Sequence, residues 1–301
     1  VESVLAGLAP APSRGQIRVV RHPCNIGGPA NVLRCFELAR GHWLWVLGDD
    51  EEPEPDAVAR LLGDIEVHKE AVFLNYFSEL CGSANRASGF PKRMNGLSEL
   101  VAECDSFSNL LFISSGVYNH AMVPGAMRHA QLFTGSFAPH LALLMVHLRR
   151  QGGVSVMLSQ RLVKHHLPAP ADHWDGSHIF PRIAELLSLV PELSMRRCLG
   201  RLMLAEDRPR YPFRGYLSFV ISGRTEELSL LLSDQVILER EHALARGRPG
   251  IRSLLRLTAA TLLLLLQAPL RSLLRPVLSH TQGPPGPCRD LASRTLDDRR
   301  V

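Results

Sequence analysis

Apolar residues change their spacing along the first part of the chain, and this change predicts alternating strands and helices. Three short segments predict strands: 16–20 is β-branched, 71–77 is mostly apolar, and the continuous apolar run at 42–48 is typical of a strand buried on both faces. Between these runs, apolar residues recur every three or four positions over 29–40 and 55–65, which is the spacing of one helix face. Val58, Leu61, Leu62 and Ile65 would form the buried face of the second helix. The alternation predicts an α/β fold with a parallel sheet.

The remainder of the chain continues this pattern and then becomes helical. Its predicted elements are a loop at 78–95, a short helix at 97–104, a strand at 109–118, a helix at 138–153, a strand at 154–158, a Pro-rich loop at 165–176 and a helical region from about 179 to 242.

An apolar segment at 249–277 predicts a helix that lies in a membrane interface. The run 257–266 includes five consecutive leucines, and arginines flank it on both sides. Even extended to Leu270, the run is about 14 residues, shorter than the roughly 20 that span a bilayer, and Pro269 interrupts it. We expect peripheral membrane contact through 251–275, with arginines near anionic head groups, although a buried C-terminal helix is the alternative. Residues 278–301 are predicted to be disordered.

Composition and charge narrow the class of protein. The 301 residues are 46% hydrophobic and 21% charged, as in ordinary globular proteins. A formal net charge of +5 is modest for this length, so nucleic acid is not an expected partner. The excess of arginine over lysine fits either a GC-rich bacterial genome or phosphate recognition. The six cysteines form no C-x-x-C pair, which argues against a zinc site or a secreted disulfide framework and favours the cytoplasm.

Four consecutive acids, Asp49–Glu52, directly follow the most apolar predicted strand. They would therefore lie at the carboxyl end of a buried strand, the edge at which open α/β sheets bind ligands. Two adjacent carboxylates there can hold Mg²⁺ or Mn²⁺, and the cation can neutralise a diphosphate. We expect Asp49 and Asp50 to form the site, while Glu52 and Glu54 face water. A solvated acidic turn is the alternative interpretation.

The acidic run belongs to a longer ordered pattern, N-x-G-G-x-x-N-x-x-R-x-x-E-x-A-x-G followed by W-x-L-G-D-D. The pattern resembles family-two glycosyltransferases with the GT-A fold, especially the abequosyltransferase-like group of bacterial O-antigen and capsule assembly. The resemblance is close over 17–77 and looser to about 167. It implies a Rossmann-like mixed sheet flanked by helices over 1–170, followed by a helical C-terminal region at 171–248. The matching residues are Asn25, Gly27, Gly28, Asn31, Arg34, Glu37, Ala39, Gly41, Trp45, Leu47, Gly48, Asp49, Asp50 and Ala57.

This resemblance also implies roles for individual residues. Asp49 and Asp50 match the D-x-D-type motif that engages the donor's ribose and the metal bridging its diphosphate. Asp50 is the first candidate metal ligand and Glu51 is a further one. His165 or His166, of which we take His166, could complete the metal shell, although the two histidines could also be a solvated loop pair. The implied donor-binding residues are Asn25, Gly27, Gly28, Asn31, Arg34 and Asp49, with a surface role as the alternative for Arg34 and a tight turn for the glycines.

The catalytic base is less clearly marked. An inverting transfer needs a group that takes the proton of the acceptor hydroxyl, commonly Asp or Glu. Residues 106–171 contain no Asp or Glu but six His and five Lys or Arg, a balance that would attract the phosphates of a donor or of a lipid-linked acceptor. His140 lies where the resemblance places the base, with a packed histidine as the alternative. Asp172 and Asp175 are the rival carboxylates.

The sequence therefore predicts a metal-assisted, inverting transferase of cell-envelope polysaccharide biosynthesis. It would move a sugar from a nucleotide-diphospho-sugar to a hydroxyl of a polysaccharide or lipid-linked acceptor at the inner face of the cell membrane. The resemblance starts after the family's first strands, so we expect roughly fifty residues of the usual domain to be missing, in a fragment or through a misassigned start. The competing hypothesis is a truncated, inactive relative that binds nucleotides or acts as a membrane-associated assembly partner.

Overall fold

A computed structural model describes residues 18–78, 90–136, 138–165 and 183–206, together with isolated helical positions between 237 and 272. The order helix, strand, helix, strand over 28–75 follows the apolar spacing, with one further short strand before the second helix. The helices are α1 (Gly28–Leu38), α2 (Ala57–Val67), α3 (Gly96–Glu103), α4 (Phe107–Leu111), α5 (Val123–Gln131), α6 (Pro139–Gln151) and α7 (Leu193–Glu206). The strands are β1 (Trp43–Trp45), β2 (Glu51–Pro53), β3 (Ala71–Asn75), β4 (Lys92–Asn95), β5 (Gly116–Asn119), β6 (Val154–Met157) and β7 (Val163–His165).

The main sheet has five strands in the order β1-β5-β3-β6-β4. β3 and β6 are parallel, whereas β5 is antiparallel to both β1 and β3, and β4 is antiparallel to β6. A second, two-stranded sheet pairs β2 with β7 in antiparallel orientation. The mixed sheet flanked by helices confirms the predicted fold class. The parallel pairing predicted from the apolar runs holds for β3 with β6 but not for the other pairs, because apolar runs report burial rather than strand direction.

An aromatic cluster joins α1 to the middle of the sheet. The ring of Tyr118 on β5 lies 5.1 Å from that of Phe36 and 5.0 Å from that of Phe73. All three side chains are fully buried. His120 Nε2 also lies 3.1 Å from the carbonyl oxygen of Phe36. These contacts hold the carboxyl-terminal half of α1 against β5.

The most deeply placed helix is α6. Every residue from Pro139 to Leu148 is buried, so no face of this part of the helix is open to water. It packs on α1, α3, α5 and the 3₁₀ segment Ile183–Leu189. A helix that is apolar on nearly all sides is typical of an interior position.

Some local predictions differ from the structure. Residues 18–20 of the first predicted strand are exposed and lie outside any strand. On α2, the buried residues are Ala57 and Leu61, whereas Val58 and Leu62 are 61% and 58% exposed. Apolar spacing alone does not show which of two overlapping stripes meets the sheet.

The regions predicted as a loop at 78–95 and a strand at 109–118 are also more complex. The first contains β4. The second divides into α4, the 3₁₀ turn Ile113–Ser115 and β5. Ser106 Oγ accepts a hydrogen bond from the backbone N–H of Asn109 and so caps α4, a local signal that the apolar run conceals.

Of the predicted helical region at 179–242, the structure describes Ile183–Leu189, α7 and one helical position, residue 237. The tail 278–301 lies outside the described residues. Within the described ranges, no helix combines the length and apolarity needed to cross a bilayer.

Candidate functional site

The first two acids of the run, Asp49 and Asp50, form a turn after the carboxyl end of β1, which we call the acidic turn, and the next two begin β2. Two hydrogen bonds hold the residues before the turn to Ser114, which lies in the 3₁₀ turn just before β5. The backbone N–H of Gly48 donates a hydrogen bond to Ser114 Oγ at 3.1 Å, and the indole N–H of Trp45 donates to the Ser114 carbonyl at 2.8 Å. Asp49 and Asp50 are exposed at the tip of the turn. The sequence prediction that these two carboxylates lie at the sheet edge is therefore consistent with the observed geometry.

Gly48 leaves room for the carboxylate of Asp50. A Cβ atom at position 48 would lie 2.9 Å from Asp50 Oδ1 and 2.9 Å from Glu51 Cγ, closer than real Cβ contacts allow. The backbone N–H of Glu51 also lies 3.4 Å from the carbonyl oxygen of Gly48. The turn is thus compact, and its shape depends on a missing side chain.

The far side of the turn is held by the small sheet. Glu51 pairs with His165 and Pro53 pairs with Val163 across β2 and β7. Because the two strands run in opposite directions, His165 at the end of β7 lies beside Glu51, the residue that directly follows the Asp49–Asp50 turn. His166, the predicted metal ligand, is the first residue after β7 and lies outside the described residues, as do Asp172 and Asp175.

Glu52 and Glu54, which follow the turn, pair with basic residues in and just before β7. Lys164 Nζ lies 3.1 Å from Glu52 Oε1. Arg161 Nε donates to Glu54 Oε1 at 2.7 Å, and the side chain of Glu54 is only 15% exposed. The expectation that Glu54 faces water is therefore wrong, because Arg161 compensates its charge at the sheet surface. These pairs neutralise the acids beside the turn and leave Asp49 and Asp50 as its exposed carboxylates.

The amino end of α1 contributes a second turn. Asn25 Oδ1 accepts a hydrogen bond from the backbone N–H of Gly27 at 2.9 Å. Gly27 has a φ of 80°, which favours glycine, and no side chain caps the helix. Open N–H groups at a helix amino terminus are suited to a phosphate.

Two further residues predicted for the donor site lie on the exposed side of α1. Asn31 is exposed, and its backbone N–H donates to the carbonyl of Gly27 within the helix. Arg34 forms an ion pair with Glu37, whose other carboxylate oxygen accepts from Gln131 Nε2 on α5. This pairing places Arg34 in a surface network between α1 and α5, in agreement with the alternative that the sequence left open.

His140 does not fit the role of catalytic base. Its side chain is 3% exposed within α6, and its Nε2–H donates to the Leu111 carbonyl at 3.0 Å. The ring meets Tyr118 edge-on at 6.5 Å. Burial lowers the pKa of His140 to about 4, so the imidazole is neutral near pH 7. A base needs to reach the acceptor hydroxyl, and this histidine instead packs in the core.

The acidic turn suits a hard cation that arrives with a substrate. Asp49, Asp50 and Glu51 supply carboxylate oxygens, and the missing Cβ of Gly48 leaves space for one of them. Among the residues that the structure describes, no group of three or more His, Cys, Asp or Glu could hold a metal by itself. Magnesium is usually bound by one or two carboxylates together with substrate phosphates, and this donor set fits that pattern.

Sequence reasoning missed the buried polar residues beneath the turn. Ser114, Asn109 and Asn75 are all fully buried, and each forms hydrogen bonds in the described structure. One signal was available: Asn75 interrupts the apolar strand 71–77, and a buried amide in such a strand requires partners. Nothing in the local sequence marks Ser114.

Residues 2–97 match the family model for glycosyl transferase family 2. This match covers the first third of the chain, from before α1 through β4 to the start of α3, and it includes the acidic turn. No curated protein and no solved structure gives a significant match. The match supports the predicted family, while the abequosyltransferase-like subgroup stays a prediction.

Proposed function

We propose that this chain is a glycosyltransferase that moves a sugar from a nucleotide-diphospho-sugar to an acceptor hydroxyl. The observation that carries the proposal is the exposed Asp49–Asp50 turn at the carboxyl end of β1, inside the region that matches family two. The alternative, an inactive nucleotide-binding relative, has no structural observation in its favour. It would differ from the transferase by binding a donor without releasing its sugar.

In this proposal the acidic turn and the start of α1 bind opposite parts of one diphosphate. Asp50, with Asp49 and Glu51, would hold Mg²⁺ or Mn²⁺, and the cation would neutralise the charge that develops on the leaving diphosphate. The amino end of α1, with Asn25, Gly27, Gly28 and Asn31, would bring backbone N–H groups and small side chains close to the nucleotide. Asp49 would also contact the ribose.

The acceptor side of the site follows β7. His165 at the end of β7 pairs with Glu51 beside the turn. The proposal assigns His166 to the metal shell and Asp172 and Asp175 to the acceptor side. With His140 buried, Asp172 and Asp175 are the remaining candidates for the base of an inverting transfer. The acid-free, basic stretch 106–171 favours a phosphate-bearing acceptor such as a lipid-linked glycan.

The binding step is the direct test. We expect nucleoside diphosphates to bind in the presence of Mn²⁺, and Asp50→Ala to weaken this binding about a hundredfold, since even outer-sphere changes cost 10- to 100-fold in metal affinity. Isothermal titration calorimetry measures it. Glu66→Gln is the control, because Glu66 pairs only with Lys69 on the exposed surface of α2 in the described structure. Equal affinity of Asp50→Ala and wild type would refute the cation site.

The C-terminal segment supports attachment of the enzyme to the inner face of the cell membrane. Its described helical positions include Leu255, Leu262, Leu265 and Leu266, which are 45–70% exposed. These leucines recur at helical spacing, and arginines occur on both sides of them in the sequence. Such a stripe suits the acyl boundary of an anionic membrane.

This attachment can be tested with lipid vesicles. We expect the chain to co-sediment with vesicles that contain anionic lipid, and the double variant Leu262→Glu, Leu265→Glu to stay in the supernatant. The matched control is Val58→Glu, Leu62→Glu on α2, which changes two apolar residues that are more than half exposed. Co-sedimentation of the Leu262→Glu, Leu265→Glu variant at the wild-type level would contradict the proposal.

A further inference from the structure

Ser114 connects the buried core to the exposed carboxylates of the acidic turn. It accepts one hydrogen bond through its hydroxyl, from the Gly48 N–H, and one through its carbonyl, from the Trp45 indole. Its own side chain is fully buried, whereas Asp49 and Asp50 are exposed. One bond reaches Trp45 at the end of β1, and the other reaches Gly48, directly before Asp49. Movement of Ser114 would therefore move the turn.

The position of Ser114 is itself fixed by a buried polar network. The neighbouring Ser115 Oγ donates to the Asn109 carbonyl at 2.7 Å. Asn109 Nδ2 donates to Asn75 Oδ1 at 2.6 Å and to the Tyr76 carbonyl at 2.8 Å, while Asn109 Oδ1 accepts from the Ser78 N–H at 2.8 Å. Satisfied networks of this kind are rigid in a low-dielectric interior. The network therefore ties the 3₁₀ turn that carries Ser114 to the carboxyl end of β3.

Gly48 links Ser114 to Asp50, because the carboxylate of Asp50 occupies the space that a side chain at position 48 would fill. A Cβ at Gly48 would be 2.9 Å from Asp50 Oδ1 and 3.7 Å from Ser114 Oγ, so the carboxylate and the hydroxyl approach the same side of Gly48. The φ of Gly48 lies outside the left-handed region. A side chain at position 48 would therefore displace the side chains of Asp50 and Glu51 rather than strain the backbone.

We propose that Ser114 is a positioning residue for the divalent cation of the donor site, an inference that rests on the proposed function. Ser114 holds Gly48, and the open space at Gly48 sets the place of the Asp50 carboxylate. Ser114 touches neither the cation nor the donor and acts through the turn. The pairing of β2 with β7 secures the other end, so the carboxylate is in place before the donor binds.

The first test measures the turn without any ligand. We expect Ser114→Ala to accelerate amide hydrogen exchange at Gly48 about tenfold, because the amide loses its acceptor. The matched control is Ser155→Ala. Ser155 is also fully buried, lies in β6 of the same sheet, and its Oγ has no partner among the described residues. Exchange at Gly48 that is equal in wild type, Ser114→Ala and Ser155→Ala would overturn the proposal.

The second test measures the cation. We expect Gly48→Ala and Ser114→Ala to weaken Mn²⁺ binding about tenfold in the presence of a nucleoside diphosphate, as followed by electron paramagnetic resonance. Gly63→Ala is the control, because a Cβ there meets no atom within 4 Å. An unchanged Mn²⁺ affinity in Gly48→Ala, with wild type binding, would overturn the role of Gly48.

The two tests also separate this proposal from the proposed function. If the wild-type chain binds no Mn²⁺–nucleotide complex, the proposed function fails, and the cation's part of this inference fails with it. The exchange measurement still decides whether Ser114 holds the turn. Faster exchange at Gly48 together with weaker Mn²⁺ binding supports both.

Discussion

The acidic turn and the α6 histidine show how differently two predicted sites are placed in the same fold. Asp49 and Asp50 lie exposed at a sheet edge, above a buried serine that fixes their turn. His140 lies inside the molecule, with its imidazole hydrogen-bonded to a backbone carbonyl and packed against Tyr118. Both were titratable residues at positions that the sequence marked for chemistry. The difference teaches that a candidate residue needs a route to the ligand as well as the right chemistry.

The largest expected effect follows from removing the buried ring. His140→Ala should lower the free energy of unfolding by about 3 kcal/mol, since it leaves a cavity and an unpaired carbonyl at Leu111. Asp49→Ala, at an exposed position, should change it by no more than about 0.5 kcal/mol. Urea denaturation of both variants measures the contrast. A His140→Ala chain of normal stability that has lost transfer activity would restore His140 as the base.

A second comparison uses pH. Burial lowers the pKa of His140 from its ordinary 6.5 to about 4 in the folded chain, so the unfolded chain binds more protons between these values. The stabilisation is complete above pH 6.5 and is lost as pH falls toward 4, by roughly 3 kcal/mol for a fully buried ring. Burial also lowers the pKa of His147, with the same sign.

The variant His140→Gln isolates this contribution, because glutamine can donate to Leu111 but does not titrate. Its unfolding free energy should fall less steeply than that of wild type between pH 6.5 and 4. Chemical denaturation at several pH values measures both slopes. Parallel slopes would show that His140 is protonated in the folded chain as easily as in the unfolded one, and the contrast with the acidic turn would disappear.

The smallest expected effect concerns Arg34. Its ion pair with Glu37 is exposed, so Arg34→Ala should change the free energy of unfolding by less than about 1 kcal/mol. We also expect the affinity for a Mn²⁺–nucleoside diphosphate complex to stay the same, because Arg34 belongs to the network with Gln131. Calorimetric titration measures the affinity. A loss of tenfold or more would show that Arg34 leaves Glu37 to bind the donor, as the family resemblance implied.

The spacing of apolar residues predicted the helices and strands that bury one regular face. It missed the elements that form only by pairing with residues distant in sequence. The helices α1 and α6 and the strands β3 and β6 follow from apolar spacing, capping and glycine or proline stops. β4 was missed because a four-residue strand, Lys92–Asn95, carries mainly polar side chains and exists only by pairing with β6. The face of α2 was misassigned because contact with the sheet decides which stripe is buried.

The same division applies to the candidate site. Residue order alone places Asp49 and Asp50 after an apolar strand and Asn25 and Gly27 before a helix, and a family match over 2–97 agrees with that order. The structure shows that this strand, β1, is half-buried rather than buried. Only the tertiary structure brings Ser114 under Gly48, pairs Glu54 with Arg161 and encloses His140. Hydrogen bonds and desolvation act between groups that are close in space, and 66 residues separate Gly48 from Ser114. Sequence chemistry therefore determined which side chains could bind a diphosphate, while packing decided which of them are held in place and which are closed off from water.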